Sequence, residues 1–174
     1  PPKVDNDYIF TPYAFMYQWQ LCIKDKVVFG RTWEEFQLFI KRLRRALRLN
    51  TKRYLVIYVH NLAYEFQFFK EFITIESLFA KDKKKPMKVD SRGIEWRCSY
   101  MLSNMSLAKF CENSELAIHY KLQDTYNYRK LRTPKTPLTE VELQYCYNDV
   151  RGLCECIDTL LKEDTITTIP LTNT

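Results

Sequence analysis

The amino-acid sequence predicts a mixed α/β domain, and three patterns support that prediction. A continuous apolar run at residues 54–59 is typical of a β-strand that is buried on both faces. Two capping boxes of the form Thr-x-x-Glu, at Thr32 and Thr139, each precede a long segment with helical periodicity. Two pairs of β-forming segments, each joined by a short turn, indicate hairpins on either side of the apolar run. This mixture predicts a sheet with helices packed against it.

The first half of the chain is expected to begin with a hairpin. Residues 13–23 predict a strand, residues 24–26 a turn, and residues 27–29 a second strand. The helix after Thr32 is expected to reach about Leu49, with an apolar face formed by Trp33, Phe36, Phe39, Ile40, Leu43 and Leu47. The central strand at 54–59 and a helix over about 64–72 follow.

The middle of the chain contains a second predicted hairpin. Residues 87–90 and 94–98 flank Arg92 and Gly93, which are suited to a tight turn. Ser106 is expected to begin a short helix, whereas residues 116–132 fit neither a helix nor a strand pattern clearly.

The last predicted element is a long helix. Pro134 and Pro137 indicate a linker, and the helix is expected to run from Glu140 to about Lys162. Its buried stripe is expected to consist of Val150, Leu153, Ile157, Leu160 and Leu161.

Length and composition predict one basic domain. The 174 residues fit a single domain over 1–174, with 163–174 as a linker toward a following domain. The chain begins with Pro rather than Met, and we expect it to be a piece of a longer polypeptide. A net charge of +6 favours a polyanionic partner, and only 3 glycines exclude a Gly-rich phosphate loop. No apolar stretch is long enough to span a membrane, so we expect no membrane partner.

The six cysteines show neither a CxxC pair nor a zinc-type spacing. We therefore expect six reduced thiols in a cytosolic protein.

Two segments contain the residue types that metal-dependent hydrolysis needs. Tyr145 and Asp149 are four residues apart in the last predicted helix, so a phenol and a carboxylate share one face. The strand at 54–59 is followed by His60, Asn61 and, after them, Glu65. Two acids at a strand end and on a late helix are what a metal-dependent phosphodiesterase requires.

Together these segments resemble the 3′–5′ exonuclease domain of the protein-primed family B DNA polymerases of phages and linear plasmids. Residues 60–65 are similar to the second exonuclease motif of that family, and residues 145–149 to the third. Residues 106–110 are similar to its Ser/Thr-Leu motif, which contacts the single-stranded primer end, and 128–139 and 169–172 also match. The resemblance implies a ribonuclease-H-like fold, in which a mixed sheet is flanked by helices.

Two features depart from the family pattern. The first motif, Asp-x-Glu on an amino-terminal strand, is absent from this sequence, and we expect the first strand of the fold to be absent with it. Asp5 and Asp7 resemble the segment after that motif, and we expect them to lie in a loop. The acid of the second motif is usually Asp, whereas here it is Glu65. The longer side chain can displace a metal by about 1 Å, which matters for catalysis.

The resemblance also implies a mechanism, in which two Mg²⁺ or Mn²⁺ ions support hydrolysis of the 3′-terminal phosphodiester. Glu65 and Asp149 are the expected metal ligands. Tyr145 is expected to orient the attacking water, since a phenol with an ordinary pKa near 10 is a poor general base at neutral pH. Lys121 is the candidate for the lysine near the leaving group.

The expected substrate is a frayed single strand of DNA. Its expected contacts are Asn61, Tyr64, Ser106, Leu107 and Tyr128. Tyr64 is suited to stacking on a terminal base, which is worth about 1–3 kcal/mol per base.

The parent protein implied by the resemblance is a DNA-directed DNA polymerase with 3′–5′ proofreading exonuclease activity. Expected partners are single-stranded DNA 3′ ends, the polymerase domain of the same chain and a terminal protein primer. A monomer in the cytoplasm of a bacterial host cell is expected. Without the first motif, the chain itself is expected to bind metal weakly and to cleave slowly or not at all.

Three alternatives remain open on the sequence. Glu65 in place of Asp favours a catalytically inactive single-stranded DNA-binding scaffold. A freestanding exonuclease of the same fold is the second alternative. A structural or interaction module is the third, and it requires that the acids do not converge in space.

Overall fold

The structure is a computed structural model that describes residues 3–5, 8–10, 15–82, 85–119 and 126–173. It confirms the mixed α/β class, since a mixed four-stranded sheet is flanked by helices. The strands are β1 (Lys3–Asp5), β2 (Tyr8–Phe10), β3 (Trp19–Ile23), β4 (Lys26–Gly30), β5 (Leu55–Val59), β6 (Ser77–Ala80), β7 (Pro86–Ser91) and β8 (Ile94–Cys98). The helices are α1 (Trp33–Ala46), α2 (Leu62–Phe69), α3 (Ser99–Ser103), α4 (Leu107–Glu112) and α5 (Glu140–Leu160), with a 3₁₀ turn at Lys70–Phe72.

The main sheet has the strand order β5-β8-β7-β6. β5 runs parallel to β8, whereas β7 runs antiparallel to both of its neighbours, β6 and β8. The predicted hairpin is confirmed as β7–β8, and its turn residues Arg92 and Gly93 have φ angles of 46° and 81°. Positive φ at both central residues is the requirement of a type I′ hairpin turn. β6, an edge strand whose residues are mostly exposed, was not predicted.

The strand predicted at residues 54–59 is confirmed, whereas its predicted burial is wrong. β5 covers Leu55–Val59, but Ile57 is its one buried residue. Among the strands that the structure describes, β5 pairs with β8 alone, so it lies at an edge of this sheet rather than at its centre. Leu55, Ile57 and Val59 pack in one apolar core and Tyr58 packs against another, but four of the five residues are only half-buried.

The two capping boxes begin the two long helices, as predicted. The Thr32 hydroxyl accepts from the Glu35 amide at 3.2 Å, and the Glu35 carboxylate accepts from the Thr32 amide at 3.1 Å. Thr139 and Glu142 form the same reciprocal pair at the start of α5. α1 ends at Ala46, before the predicted Leu49, because the chain turns at Arg48, whose φ is 52°.

Two apolar cores stabilise the domain. The first lies between α1, α2 and the sheet, and contains Trp19, Phe36, Ile40, Ile57, Leu62, Phe66, Phe69, Val89, Ile94, Trp96 and Cys98. The second lies under α5 and contains Leu102, Leu107, Phe110, Cys111, Ala117, Cys156, Ile157 and Ile169.

The buried face of α5 differs from the predicted stripe. Ile157 is buried as expected, but Leu161 is 39% exposed, and Val150, Leu153 and Leu160 are half-buried. Polar residues share the buried face instead: Glu142, Asn148 and Glu155. Glu155 can be buried because its carboxylate accepts from the amides of Ile118 and His119 and from Arg151. Long-range partners of this kind are invisible to a search for apolar periodicity.

The amino-terminal residues also differ from expectation. Asp5 ends β1, which pairs antiparallel with β2, and so it does not lie in a loop. The β-branched residues Val4 and Ile9, which are opposite each other in the register, favour this extended backbone. Asp7 lies outside the described residues.

All six cysteines have free thiols, as predicted. Within the described part of the chain, no helix is both long and apolar enough to cross a membrane.

Candidate nuclease site

The first part of the site is the junction between β5 and α2. Asn61 has φ 63° and ψ 56°, the left-handed conformation that Asn tolerates better than most residues. This conformation turns the chain from the strand into the helix, and the Asn61 carbonyl accepts from the amides of Tyr64 and Glu65. The Asn61 side chain makes no capping bond and is exposed. The preceding residue, His60, packs here through a hydrogen bond of 3.1 Å between Nδ1 and Ser99 Oγ.

Glu65, in the first turn of α2, is electrostatically coupled to Asp149 of α5. Although Glu65 is exposed as a residue, surrounding protein atoms reduce the hydration of its carboxyl group and raise its pKa. The negative charge of Asp149 raises this pKa further. Two carboxylates that repel each other are an arrangement that a divalent cation would relieve.

Tyr145 lies one helical turn before Asp149 and is 7% exposed. Burial is the main cause that raises its pKa, followed by a hydrogen bond with Tyr128 and by the charge of Asp149. The Tyr145 side chain is therefore a neutral phenol at neutral pH. The structure brings four predicted residues together, since Glu65 and Tyr145 both interact with Asp149, and Tyr128 contacts Tyr145.

Three further residues, Tyr17, Tyr126 and Arg132, complete this region, and the sequence did not predict them. Tyr17, Tyr126, Tyr128 and Tyr145 form what we call the tyrosine cluster, and Arg132 packs on it. The Tyr126 ring lies 4.5 Å from that of Tyr145, the hydroxyl groups of Tyr17 and Tyr126 are hydrogen-bonded, and the Arg132 guanidinium lies 4.3 Å from the Tyr126 ring centre. The Tyr-Asn-Tyr spacing at 126–128 was an available signal, whereas nothing local marks Tyr17.

A buried ion pair holds the segment with Tyr126 and Tyr128 against α5. Arg132 and Glu142 are 5% and 6% exposed, and Arg132 donates to Glu142 Oε1 through Nε at 2.9 Å and Nη2 at 2.7 Å. The Arg132 Nη1 atom donates to the carbonyls of Asn127 and Lys130. The Thr139 amide, then Arg132 and Lys130, lower the pKa of Glu142 to about 2. This pair fixes the position of Tyr128 next to Tyr145.

The remaining predicted residues are more dispersed. Tyr64 is 51% exposed, with its ring edge-on to Phe68 at 5.2 Å. Ser106 is exposed and caps α4 by accepting from the Lys109 amide at 3.3 Å. Leu107 is 8% exposed and belongs to the second core, so Ser106 is the part of this motif that faces solvent. Lys121 lies outside the described residues.

The donor set fits a hard divalent cation but is small. Carboxylate oxygens are preferred ligands of Mg²⁺ and Mn²⁺. Among the residues that the structure describes, no group of three or more His, Cys, Asp or Glu side chains could hold a metal. Glu65 and Asp149 therefore form a two-carboxylate arrangement, fewer ligands than two ions require.

Comparison with protein-family models and with curated protein sequences gave no match. Among solved structures, the chain is similar to the phi29 DNA polymerase in complex with primer-template DNA and incoming nucleotide substrates, with a TM-score of 0.67 and 13% sequence identity. The alignment covers 99% of this chain and 31% of the polymerase chain, so this chain spans about a third of its length. At this identity the similarity establishes the fold, and this chain has a fold that occurs within a DNA polymerase.

Proposed function

We propose that this chain is the 3′–5′ proofreading exonuclease domain of a protein-primed family B DNA polymerase, which hydrolyses the 3′-terminal phosphodiester of single-stranded DNA. The observation that carries the proposal is the coupling of Glu65 and Tyr145 to Asp149 in a ribonuclease-H-like fold. The parent polymerase, its DNA-replication role and its terminal protein primer belong to the same proposal.

Glu65 and Asp149 are the residues that would hold Mg²⁺ or Mn²⁺. Bound there, the metal would lower the pKa of a water and stabilise charge on the leaving 3′-oxygen. Tyr145, kept neutral by its raised pKa, would hold that water through its hydroxyl group rather than remove a proton from it. Lys121 is proposed to lie near the leaving group.

The substrate-binding roles rest on surface chemistry. Tyr64 offers an exposed ring on which a terminal base can stack, and the exposed Asn61 amide can bond to a sugar or a phosphate. Ser106 and Tyr128 are exposed residues that carry hydroxyl groups, and Leu107 supports the Ser106 turn from the core. The net charge of +6 favours association with a polyanion.

The activity of the 174-residue chain alone is expected to be low, because Glu65 and Asp149 supply too few ligands for two ions. The test is digestion of a 5′-labelled single-stranded oligonucleotide in Mn²⁺. We expect slow loss of single nucleotides from the 3′ end, abolished in Asp149→Ala and retained in Asp158→Asn, an exposed acid of the same helix. Internal cuts, or digestion that Asp149→Ala leaves unchanged, would contradict the proposal.

A single-stranded DNA-binding scaffold without catalysis is the second candidate. The small number of metal ligands among the described residues favours it. Tight, Mn²⁺-independent binding of the oligonucleotide with no digestion at high protein concentration would select this candidate.

A further inference from the structure

Cys22 of β3 and Cys154 of α5 meet where the β3–β4 hairpin packs on the helix. Both thiols donate to one acceptor, the Lys24 carbonyl oxygen, at 3.2 Å from Cys22 Sγ and 3.4 Å from Cys154 Sγ. Each thiol also shifts the pKa of the other. The residues are 132 positions apart in sequence, and no spacing rule would have paired them.

Arg151 completes the cluster from the preceding turn of α5. Its Nη1 atom donates to the Lys24 carbonyl and lies 3.8 Å from Cys22 Sγ. Its Nη2 atom donates to Glu155 at 3.2 Å, which holds the guanidinium in place. Asp158, the other charged group that acts on both thiols, is exposed.

These contacts make the two thiols unequal. The neighbouring Cys154 thiol and the guanidinium of Arg151 lower the pKa of Cys22 to about 7, against the opposing effect of burial. The same interaction raises the pKa of Cys154, which remains a thiol. A thiolate beside a second thiol is the arrangement of a reactive cysteine with its resolving partner.

Both cysteines are half-buried, so a small oxidant can reach them. A second pair offers an internal comparison, since Cys111 and Cys156 have their sulfurs 3.7 Å apart but are 1% and 0% exposed. In both pairs the two cysteines are close together. The Cys22–Cys154 pair differs in that it has a neighbouring guanidinium and is accessible to solvent.

We propose that Cys22 and Cys154 form an oxidation-sensitive site that a hydroperoxide converts into a disulfide. The Cys22 thiolate attacks a peroxide oxygen, the O–O bond breaks, and the leaving oxygen takes a proton and departs as water or an alcohol. Cys22 is then a sulfenic acid. The Cys154 sulfur attacks that sulfur, the S–O bond breaks, and the hydroxide leaves as water with the proton of Cys154. Two thiols are oxidised, and one peroxide is reduced.

The disulfide would link β3 covalently to the helix that holds Tyr145 and Asp149. Since it closes a long loop, it is expected to stabilise the domain against unfolding. This inference is independent of the proposed nuclease activity, because it rests on contacts outside that site.

The test is treatment of the folded chain with hydrogen peroxide at pH 7, followed by alkylation and peptide mass spectrometry. We expect loss of two thiols and one cross-linked peptide pair that contains Cys22 and Cys154. Cys154→Ser should stop at a sulfenic acid on Cys22 that dimedone traps, and Arg151→Met should slow oxidation several-fold. Cys111 and Cys156 should react only after unfolding.

A second measurement does not depend on any variant. The alkylation rate of Cys22 in the wild-type chain should rise with pH around a midpoint of about 7. At pH 7 it should exceed that of an unperturbed thiol about tenfold, because an ordinary cysteine is then only a few per cent thiolate. First oxidation at another cysteine, a disulfide between two chains, or an alkylation midpoint above pH 8.5 would overturn the proposal.

Discussion

The hydroxyl groups of Tyr128 and Tyr145 are hydrogen-bonded to each other, although Tyr128 is 72% exposed and Tyr145 is 7% exposed. The bond joins Tyr128 to α5, the helix that contains Asp149. Through this bond, the buried and neutral Tyr145 hydroxyl group is connected to a tyrosine at the protein surface.

Removal of the Tyr145 hydroxyl should separate catalysis from binding. If Tyr145 holds the attacking water, Tyr145→Phe should slow Mn²⁺-dependent digestion by about 10–100-fold while the Kd for single-stranded DNA changes less than about twofold. Tyr54→Phe, an exposed tyrosine outside the tyrosine cluster, is the matched control. Equal losses in binding and rate would indicate that the hydroxyl serves packing.

The pKa of Glu65 should report on Asp149. Because the charge of Asp149 raises this pKa, Asp149→Asn should lower it. In the wild-type chain, Mg²⁺ should also lower it. Carboxyl-carbon NMR of the Glu65 side chain measures both changes. The raised pKa also means that Glu65 favours the folded state when protonated, and this contribution is lost as pH rises through its folded pKa. A pKa that Mg²⁺ leaves unchanged would argue against Glu65 as a ligand.

The Arg132–Glu142 pair should contribute most to the loss of folding stability at low pH. Glu142 has a folded pKa of about 2, below its usual value, so its contribution is present above the unfolded pKa and is lost as pH falls through about 2. Glu142→Gln should destabilise the domain by roughly 2–3 kcal/mol at pH 7, because Arg132 stays buried without its carboxylate. Chemical unfolding measures this loss.

The control for that change is Glu140→Gln, an exposed acid in the same first turn of α5. It should cost less than about 0.5 kcal/mol. Since Gln also forms capping boxes, the difference between the two variants isolates the charge of Glu142. Equal effects would show that the buried pair contributes little.

Gly152 should tolerate no side chain, although it lies within a helix. A Cβ there would lie 2.4 Å from the His119 carbonyl oxygen and 2.9 Å from Cys111 Sγ. Gly152→Ala should therefore destabilise the domain by about 1–3 kcal/mol, despite the higher helix propensity of Ala. Thermal unfolding measures the change, and a stabilised variant would contradict this packing of the 119 segment on α5.

Local signals predicted the elements that depend on local interactions. Thr32 and Thr139 marked the starts of α1 and α5 because a capping box is a contact between residues three apart. α2 was predicted to begin at Tyr64 but begins at Leu62, since Asn61 enters it in a left-handed conformation without a capping bond. α3 was missed because five residues are too few to show helical periodicity.

Long-range contacts could not be predicted in this way. The hydrogen bond between Tyr17 and Tyr126 spans 109 residues, and only the folded chain brings Cys22 to Cys154. The edge strand β6 was missed because its strand conformation depends on pairing with β7 rather than on a sequence pattern of its own. For the candidate site, the sequence predicted Glu65, Asp149 and Tyr145, and these stay predictions, whereas the ion pair of Arg132 and Glu142 required the fold.

The most direct test of the proposed nuclease site is the position of Mn²⁺ in crystals of this chain, located by anomalous scattering. We predict a peak between Glu65 and Asp149, with oxygens of both carboxylates within about 2–2.5 Å of the metal, as hard divalent cations require. Tyr145 should lie beside this peak, and the peak should be absent in Asp149→Asn. Metal bound elsewhere, or Glu65 and Asp149 directed away from each other with no metal between them, would contradict the proposed site.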